Sequence, residues 1–229
     1  LFSIDDIKEE ASSVQEDQSD SSFWSDTKRL LSNVRLWHVA FCILSGYQLF
    51  WATYSFSGYL QHTYGLTAVA VGTITVAKLW MRPVGAVAAG FVGDRFNREK
   101  VLAILLLSGS VALAALIVLP PSASSGILLT VVLLIGVLTY AIRGIFWATL
   151  DSCNIPVRIK GLAIGLISLI GYSPDIYLPL INGALLERFP GKLGYSIYFM
   201  GIVVMGLLGV LSAWKLNVLT SKKANSVSN

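Results

Sequence analysis

The sequence predicts an all-α, polytopic membrane bundle of six transmembrane helices, and two observations carry that expectation. Of the 229 residues, 55% are hydrophobic and only 13% charged, where a soluble domain is about a quarter charged. Most of residues 34–216 also consists of apolar runs long enough for a bilayer core, which takes about 20 residues of helix. Lipid cannot satisfy exposed backbone groups, so helices packed as a bundle are the structure such runs can form.

Residues 1–33 are a different material. Residues 3–27 hold eight of the thirteen acidic residues together with many serines, the composition of a flexible linker that cannot bury a core. From Ser25, "SDTKRLLSNVRLW" reads as an interfacial amphipathic helix, with Trp24 and Trp37 at headgroup depth. The acidic start excludes a signal peptide, and a first residue that is Leu rather than Met leads us to expect a missing N-terminal portion.

Six spans follow, at about 34–60, 67–92, 101–119, 127–150, 161–185 and 195–216, with 217–229 as a polar tail. The gaps are short and rich in turn formers: "HTYG" at 62–65, "GDRFNREK" at 93–100, "PPSASSG" at 120–126, "SCNIPVRIK" at 152–160 and "RFPGKLG" at 188–194. Short links make neighbouring spans antiparallel. Twelve of the seventeen Lys and Arg residues fall in the N-terminal segment, the 93–100 and 152–160 loops and the tail, against two (Arg188 and Lys192) in the opposite loops. Positive charge is retained on the cytoplasmic side, so both termini are expected there, in a cell or inner membrane.

Charge inside the spans marks a candidate site, because each ionised group costs about 2.5–3.5 kcal/mol at the helix centre on insertion scales. Lys78, Arg82, Arg143 and Asp175 qualify. Lys78 and Arg82 are four apart, on a face that continues through Gly85 and Ala89, where small residues admit either a neighbouring helix or a solute; the bland alternative is snorkelling to an interface. Arg143 stands four before Trp147, a spacing suited to a cation–π contact, with a structural or a substrate role equally open. In span five, "GYSPDIYLP" places Asp175 between Pro174 and Pro179, each of which removes a backbone donor and breaks or loosens the helix. Asp175 is then either a protonatable coupling residue or a counter-ion for Arg82 or Arg143. In span one, Gln48 and Tyr54 line a possible cavity face, although so dense an aromatic stretch also suits packing. Cys42 and Cys153 read as small buried hydrophobes.

The stretch "GFVGDRFNREKVL" from Gly90 resembles the loop signature of the major facilitator superfamily: Gly, two or three residues, Asp, Arg or Lys, one residue, Gly, Arg, one residue, Lys or Arg. Gly90, Gly93, Asp94, Arg95, Arg98 and Lys100 stand where that pattern wants them. Asn97 replaces the usual Gly, and Asn tolerates the left-handed backbone better than most residues. The resemblance implies one six-helix half of a two-half transporter, with residues 1–33 as the central linker before the C-terminal half and the N-terminal half missing. It also implies a gating latch: Asp94 against the start of span five near Gly161, and Arg98 paired with Asp151. The structural alternative is a positively charged loop with screened surface pairs. "AIRGIFWATL" and "IPVRIKGLAIGLISLIGYSPDIYLPL" look like a bacterial permease branch loosely related to sugar-phosphate and organic-anion permeases. Such permeases place a substrate-binding Arg within the first span, and here that span has only Arg35, at its edge.

Three cations against one carboxylate in the spans favour a negatively charged solute. The leading expectation is therefore secondary active transport of a small organic anion by rocking of two halves about a midplane site. A proton-coupled exporter of neutral or cationic compounds, through Asp175, and a six-span receptor or scaffold are the alternatives. The sequence holds no nucleophile–base set, metal-ligand cluster or phosphate-cradling glycine loop, so no enzyme, metal, cofactor or nucleic-acid partner is expected.

Overall fold

The computed structural model describes residues 23–227, and the regular elements among them are all helices. Most of the expected linker and the last two residues of the tail lie outside the described residues. Helix α1 covers residues 23–31. Asn33 then caps α2 (Val34–Ala52), its side chain accepting from the Arg35 amide at 3.1 Å. A 3₁₀ turn, Thr53–Ser55, interrupts the first long helix before α3 (Phe56–Tyr64), which ends at Gly65 with φ of 63°, the left-handed stop that glycine adopts without cost.

Thr67 caps α4 (Ala68–Arg95), and α5 (Arg98–Val118) follows the charged loop. α6 (Ser125–Ile145) tightens into a 3₁₀ stretch over Phe146–Cys153. α7 (Lys160–Gly171) and α8 (Pro174–Arg188) are separated by a break at Tyr172 and Ser173, and α9 (Lys192–Val227) completes the bundle.

By length and apolarity, four segments are able to cross a membrane: Arg98–Val118, Ser125–Cys153, Val157–Arg188 and Lys192–Ser221. Of the six expected spans, the first two are present as long helical segments but fall outside that group. Polar side chains dilute their apolar runs: Arg35, His38 and Gln48 in α2, and Lys78, Arg82, Asp94 and Arg95 in α4. Where the expected tail begins at residue 217, α9 continues as helix to Val227.

The packing places α4 chiefly on α6, α5 and α2 on α9, and the α7–α8 pair on α2 and α9. Among apolar neighbours in lipid, association depends on close contact rather than on the hydrophobic effect. Gly85 shows how: a Cβ there would meet the Val137 carbonyl oxygen at 2.6 Å and Tyr140 Cβ at 2.9 Å. The small residues on the Lys78 face thus admit α6 itself. Ile43, Leu102, Leu106, Leu113 and Leu116 fill the centre, fully buried. Apolar residues outside that core, among them Val69, Trp80, Val87 and Leu169, stand exposed, as a lipid-facing surface requires.

Asn97 corrects one expectation. Its φ is −62° and ψ 119°, an extended conformation, and its side chain accepts from the Lys100 amide at 2.9 Å. The residue serves as an N-cap for α5 rather than as a left-handed turn, and capping is what an Asn in that place does well.

Candidate functional site

The charged residues of the bundle fall into two groups, one within it and one at the end carrying the 93–100 loop. In the first, Lys78 is 5% exposed and donates from Nζ to the Thr53 carbonyl at 3.2 Å. Its ammonium thus lies at the interruption of the first long helix, 6.0 Å from the ring centres of both Tyr54 and Phe56. Arg82, one turn further along α4, is exposed. The two share a face by spacing but not an environment, because α6 covers the first and not the second.

Arg143 is half-buried, with its guanidinium carbon 4.3 Å from the Phe50 ring centre and 5.6 Å from that of Tyr47. The expected partner Trp147 instead donates from Nε1 to the Tyr172 hydroxyl at 3.1 Å. α6 tightens into its 3₁₀ stretch immediately after Ile145, so the one-turn spacing assumed for 143 and 147 does not hold.

Asp175 is exposed and lies in the first turn of α8, where the helix dipole favours an anion. Its Oδ1 accepts from the Tyr47 hydroxyl at 2.9 Å and from Trp51 Nε1. The expected counter-ion contact is replaced by these neutral donors: among the described residues neither Arg82 nor Arg143 is ion-paired, and Tyr47 stands between Arg143 and Asp175. Pro174 opens α8 just after the break, whereas Pro179 lies inside α8 without ending it. Only Pro174 is therefore a helix break.

Gln48, buried, donates from Nε2 to the Tyr177 hydroxyl at 2.8 Å, and Asn182 Nδ2 donates to Ser55 Oγ at 3.2 Å. These bonds tie α2 and its turn to α8. Tyr54 is 60% exposed, packed edge-on against Phe50 at 5.3 Å and beside Trp51 at 5.0 Å. Arg143, Tyr47 and Asp175 thus lie side by side, with Phe50 under Arg143 and the Tyr140 ring 5.9 Å from that of Phe50. Sequence reasoning left out Tyr47, Phe50 and Trp51; the signal for two of them is the one-turn spacing of Tyr47 and Trp51.

The second group sits at the loop end. Arg98 Nη1 is 3.1 Å from Asp151 Oδ2, and Lys160 Nζ is 3.1 Å from Asp151 Oδ1. Asp94 reaches Arg98 at 3.9 Å, its side chain 81% exposed, and does not hold the start of α7 as expected, since Lys160 there turns to Asp151. Arg95 and Gly90 are exposed. Two residues passed over from the sequence complete this end. Glu99 is buried and accepts from the Ser152 hydroxyl, and Arg35 donates to the carbonyls of Ser152 at 3.1 Å and Leu219 at 2.7 Å. α2, α5, α9 and the 146–153 stretch are thereby joined. Among the described residues no group of three or more potential metal ligands converges.

Apolar helices long enough to cross a membrane, packed as a bundle, define a polytopic membrane protein. The Major Facilitator Superfamily profile matches residues 2–177, and the chain belongs to that family, whose members are membrane transporters rather than enzymes. It is similar to the "Inner membrane protein YqcE" of Escherichia coli K12, at 28% identity over 210 residues covering 87% of this chain and 48% of the relative. It is also similar to the "Inner membrane protein YihN" of the same organism, at 26% identity over 204 residues with the same two coverages. An "Uncharacterized protein" of Mycoplasma pneumoniae is 28% identical over 145 residues, 56% of this chain and 65% of the relative. The chain spans about half the length of the two Escherichia coli relatives. No solved structure matches it significantly.

Proposed function

We propose that the chain is the C-terminal six-span half of a secondary active transporter that carries a small organic anion by alternating access, with both termini cytoplasmic. One observation carries the reading. Arg143 lies on the faces of Phe50 and Tyr47 without an ion-pair partner among the described residues, while Asp175 is satisfied by the Tyr47 and Trp51 donors. The positive charge of this surface is therefore not cancelled from within, and an anionic solute would supply the missing counter-charge. The coverage of about half of two relatives agrees with a second bundle facing this surface, as two-half transporters use. At the loop end, the Arg98–Asp151–Lys160 cluster acts as the latch of one access state.

The test is uptake by the intact transporter in liposomes, screened against organic anions with and without a pH gradient. Arg82→Ala and Arg143→Ala abolish uptake while the protein still inserts and purifies; undiminished uptake in both variants removes the cations from the site.

A second reading rests on Asp175, an exposed carboxylate that accepts from the neutral donors Tyr47 and Trp51: the transporter would then be a proton-coupled exporter of neutral or cationic compounds. Asp175→Asn keeps the accepting oxygen and removes the charge. Flux equally insensitive to pH in this variant and in the wild type excludes that coupling.

A further inference from the structure

An apolar groove lies apart from the residues of the charged face. It lies between the first turns of α2 and the stretch of α9 from Leu208 to Leu219, has a volume of about 950 Å³, and is walled by Val34, Phe41, Leu208 and Leu211. Trp37 and Trp214 flank it, 46% and 63% exposed. At 3.6 residues per turn, Val34, Trp37 and Phe41 share one face of α2, and Tyr47 and Trp51 lie roughly 90° round from the middle of that face and further along the helix. The groove shares no lining residue with the surface that carries Arg143 and Asp175. Its floor is closed by His38 Nδ1 and Ser212 Oγ, 2.8 Å apart. Among its lining residues one side chain carries a full charge: Lys215, exposed at the rim. Arg35, nearby on α2, is already committed to the carbonyls of Ser152 and Leu219.

We infer that this groove holds one anionic glycerophospholipid, an acyl chain against the apolar walls and the phosphate on Lys215. Each feature matches a part of that molecule. The walls offer almost nothing to a polar ligand, while an acyl chain needs only such a slot. The volume is within the range of about 300–1,000 Å³ found for small-molecule sites. Paired tryptophans mark headgroup depth in membrane proteins, which sets Lys215 at the level of the phosphates. A basic side chain near an anionic surface contributes about 1 kcal/mol, a preference of about fivefold. Another copy of the chain would find the same lone cation facing it without a matching acid on this wall, so charge complementarity selects the lipid.

Native mass spectrometry of the intact protein, released from micelles holding equal phosphatidylglycerol and phosphatidylcholine, tests the site. The wild type retains one phosphatidylglycerol with about fivefold preference over phosphatidylcholine. Lys215→Gln equalises the two lipids, and Lys215→Arg restores the preference. Leu211→Trp fills the groove and removes the retained lipid although Lys215 is intact. Equal retention of both lipids by the wild type, unchanged retention in Leu211→Trp, or release as a lipid-free dimer each overturns the assignment. Lys215 and Leu211 are exposed, so neither variant disturbs the buried core, and unchanged detergent-solubilised yield verifies it.

Discussion

At the scale of single residues, Lys78 poses the sharpest energetic question. A lysine at the centre of a membrane helix costs about 2.5–3.5 kcal/mol, and its visible return is one bond to the Thr53 carbonyl at 3.2 Å. Leaving that carbonyl unsatisfied costs about 1–3 kcal/mol. The two effects nearly cancel, so Lys78→Met is expected to shift the apparent Tm of the purified protein by no more than about 4 °C in either direction. Transport, which under the proposed reading needs the charge, falls to background. A larger loss of Tm makes Lys78 a structural residue at the helix interruption instead. The types of these residues were legible in the sequence, because an ionised side chain in an apolar run stands out whatever surrounds it. Their partners were not. Phe50 under Arg143 and Trp51 on Asp175 are ordinary aromatic residues in an aromatic-rich stretch, and only the crossing of α2 with α6 and α8 selects them.

Among the elements, the α4–α6 contact and the loop end make opposite predictions. Gly85 lies against the Val137 backbone, and a backbone oxygen at 2.6 Å from a new Cβ has nowhere to go. Gly85→Val is expected to force the helices apart at a cost of about 1–3 kcal/mol, read as a lower apparent Tm and reduced yield. The Arg98–Asp151–Lys160 cluster is different, since its side chains are 40%, 58% and 44% exposed. Solvent screens pairs of that kind to about 0–1 kcal/mol each. Asp151→Asn therefore leaves folding intact and biases only the balance between access states. Cys153, buried beside this cluster, reports the bias: in a Cys42→Ala background its maleimide labelling is expected to accelerate by up to about fivefold in Asp151→Asn, since about 1 kcal/mol is that ratio. Labelling at the wild-type rate removes Asp151 from gating. The elements followed from hydrophobic runs and turn residues, including the break before Pro174. The break at Thr53–Ser55 did not, because no Pro or charge marks it and hydroxyl residues are common in membrane helices.

For the whole molecule, the question is what the exposed charged surface meets. Tyr54, Arg82 and Asp175 are exposed within this chain, and so is Trp80 on another face of α4, 71% exposed. Exposure alone does not tell water from lipid. The residues differ in chemistry: Tyr54 stands beside the buried ammonium of Lys78, whereas Trp80 is flanked by Val76, Leu79 and Val84, all exposed and apolar. An ionised group persists at depth where water or a counter-charge reaches it, so the Tyr54 side should line a crevice and the Trp80 side should touch acyl chains. Single cysteines introduced as Tyr54→Cys and Trp80→Cys, with Cys42 and Cys153 replaced, separate the cases in membrane vesicles of the intact transporter. Tyr54→Cys is expected to react with a charged, membrane-impermeant thiosulfonate, and a transported anion slows that reaction. Trp80→Cys is expected to ignore the charged reagent, because hydrocarbon excludes that reagent and suppresses thiolate formation. Equal inertness of both positions toward the charged reagent, from either side of the membrane, places the cations against lipid and removes the water-filled crevice on which anion transport depends.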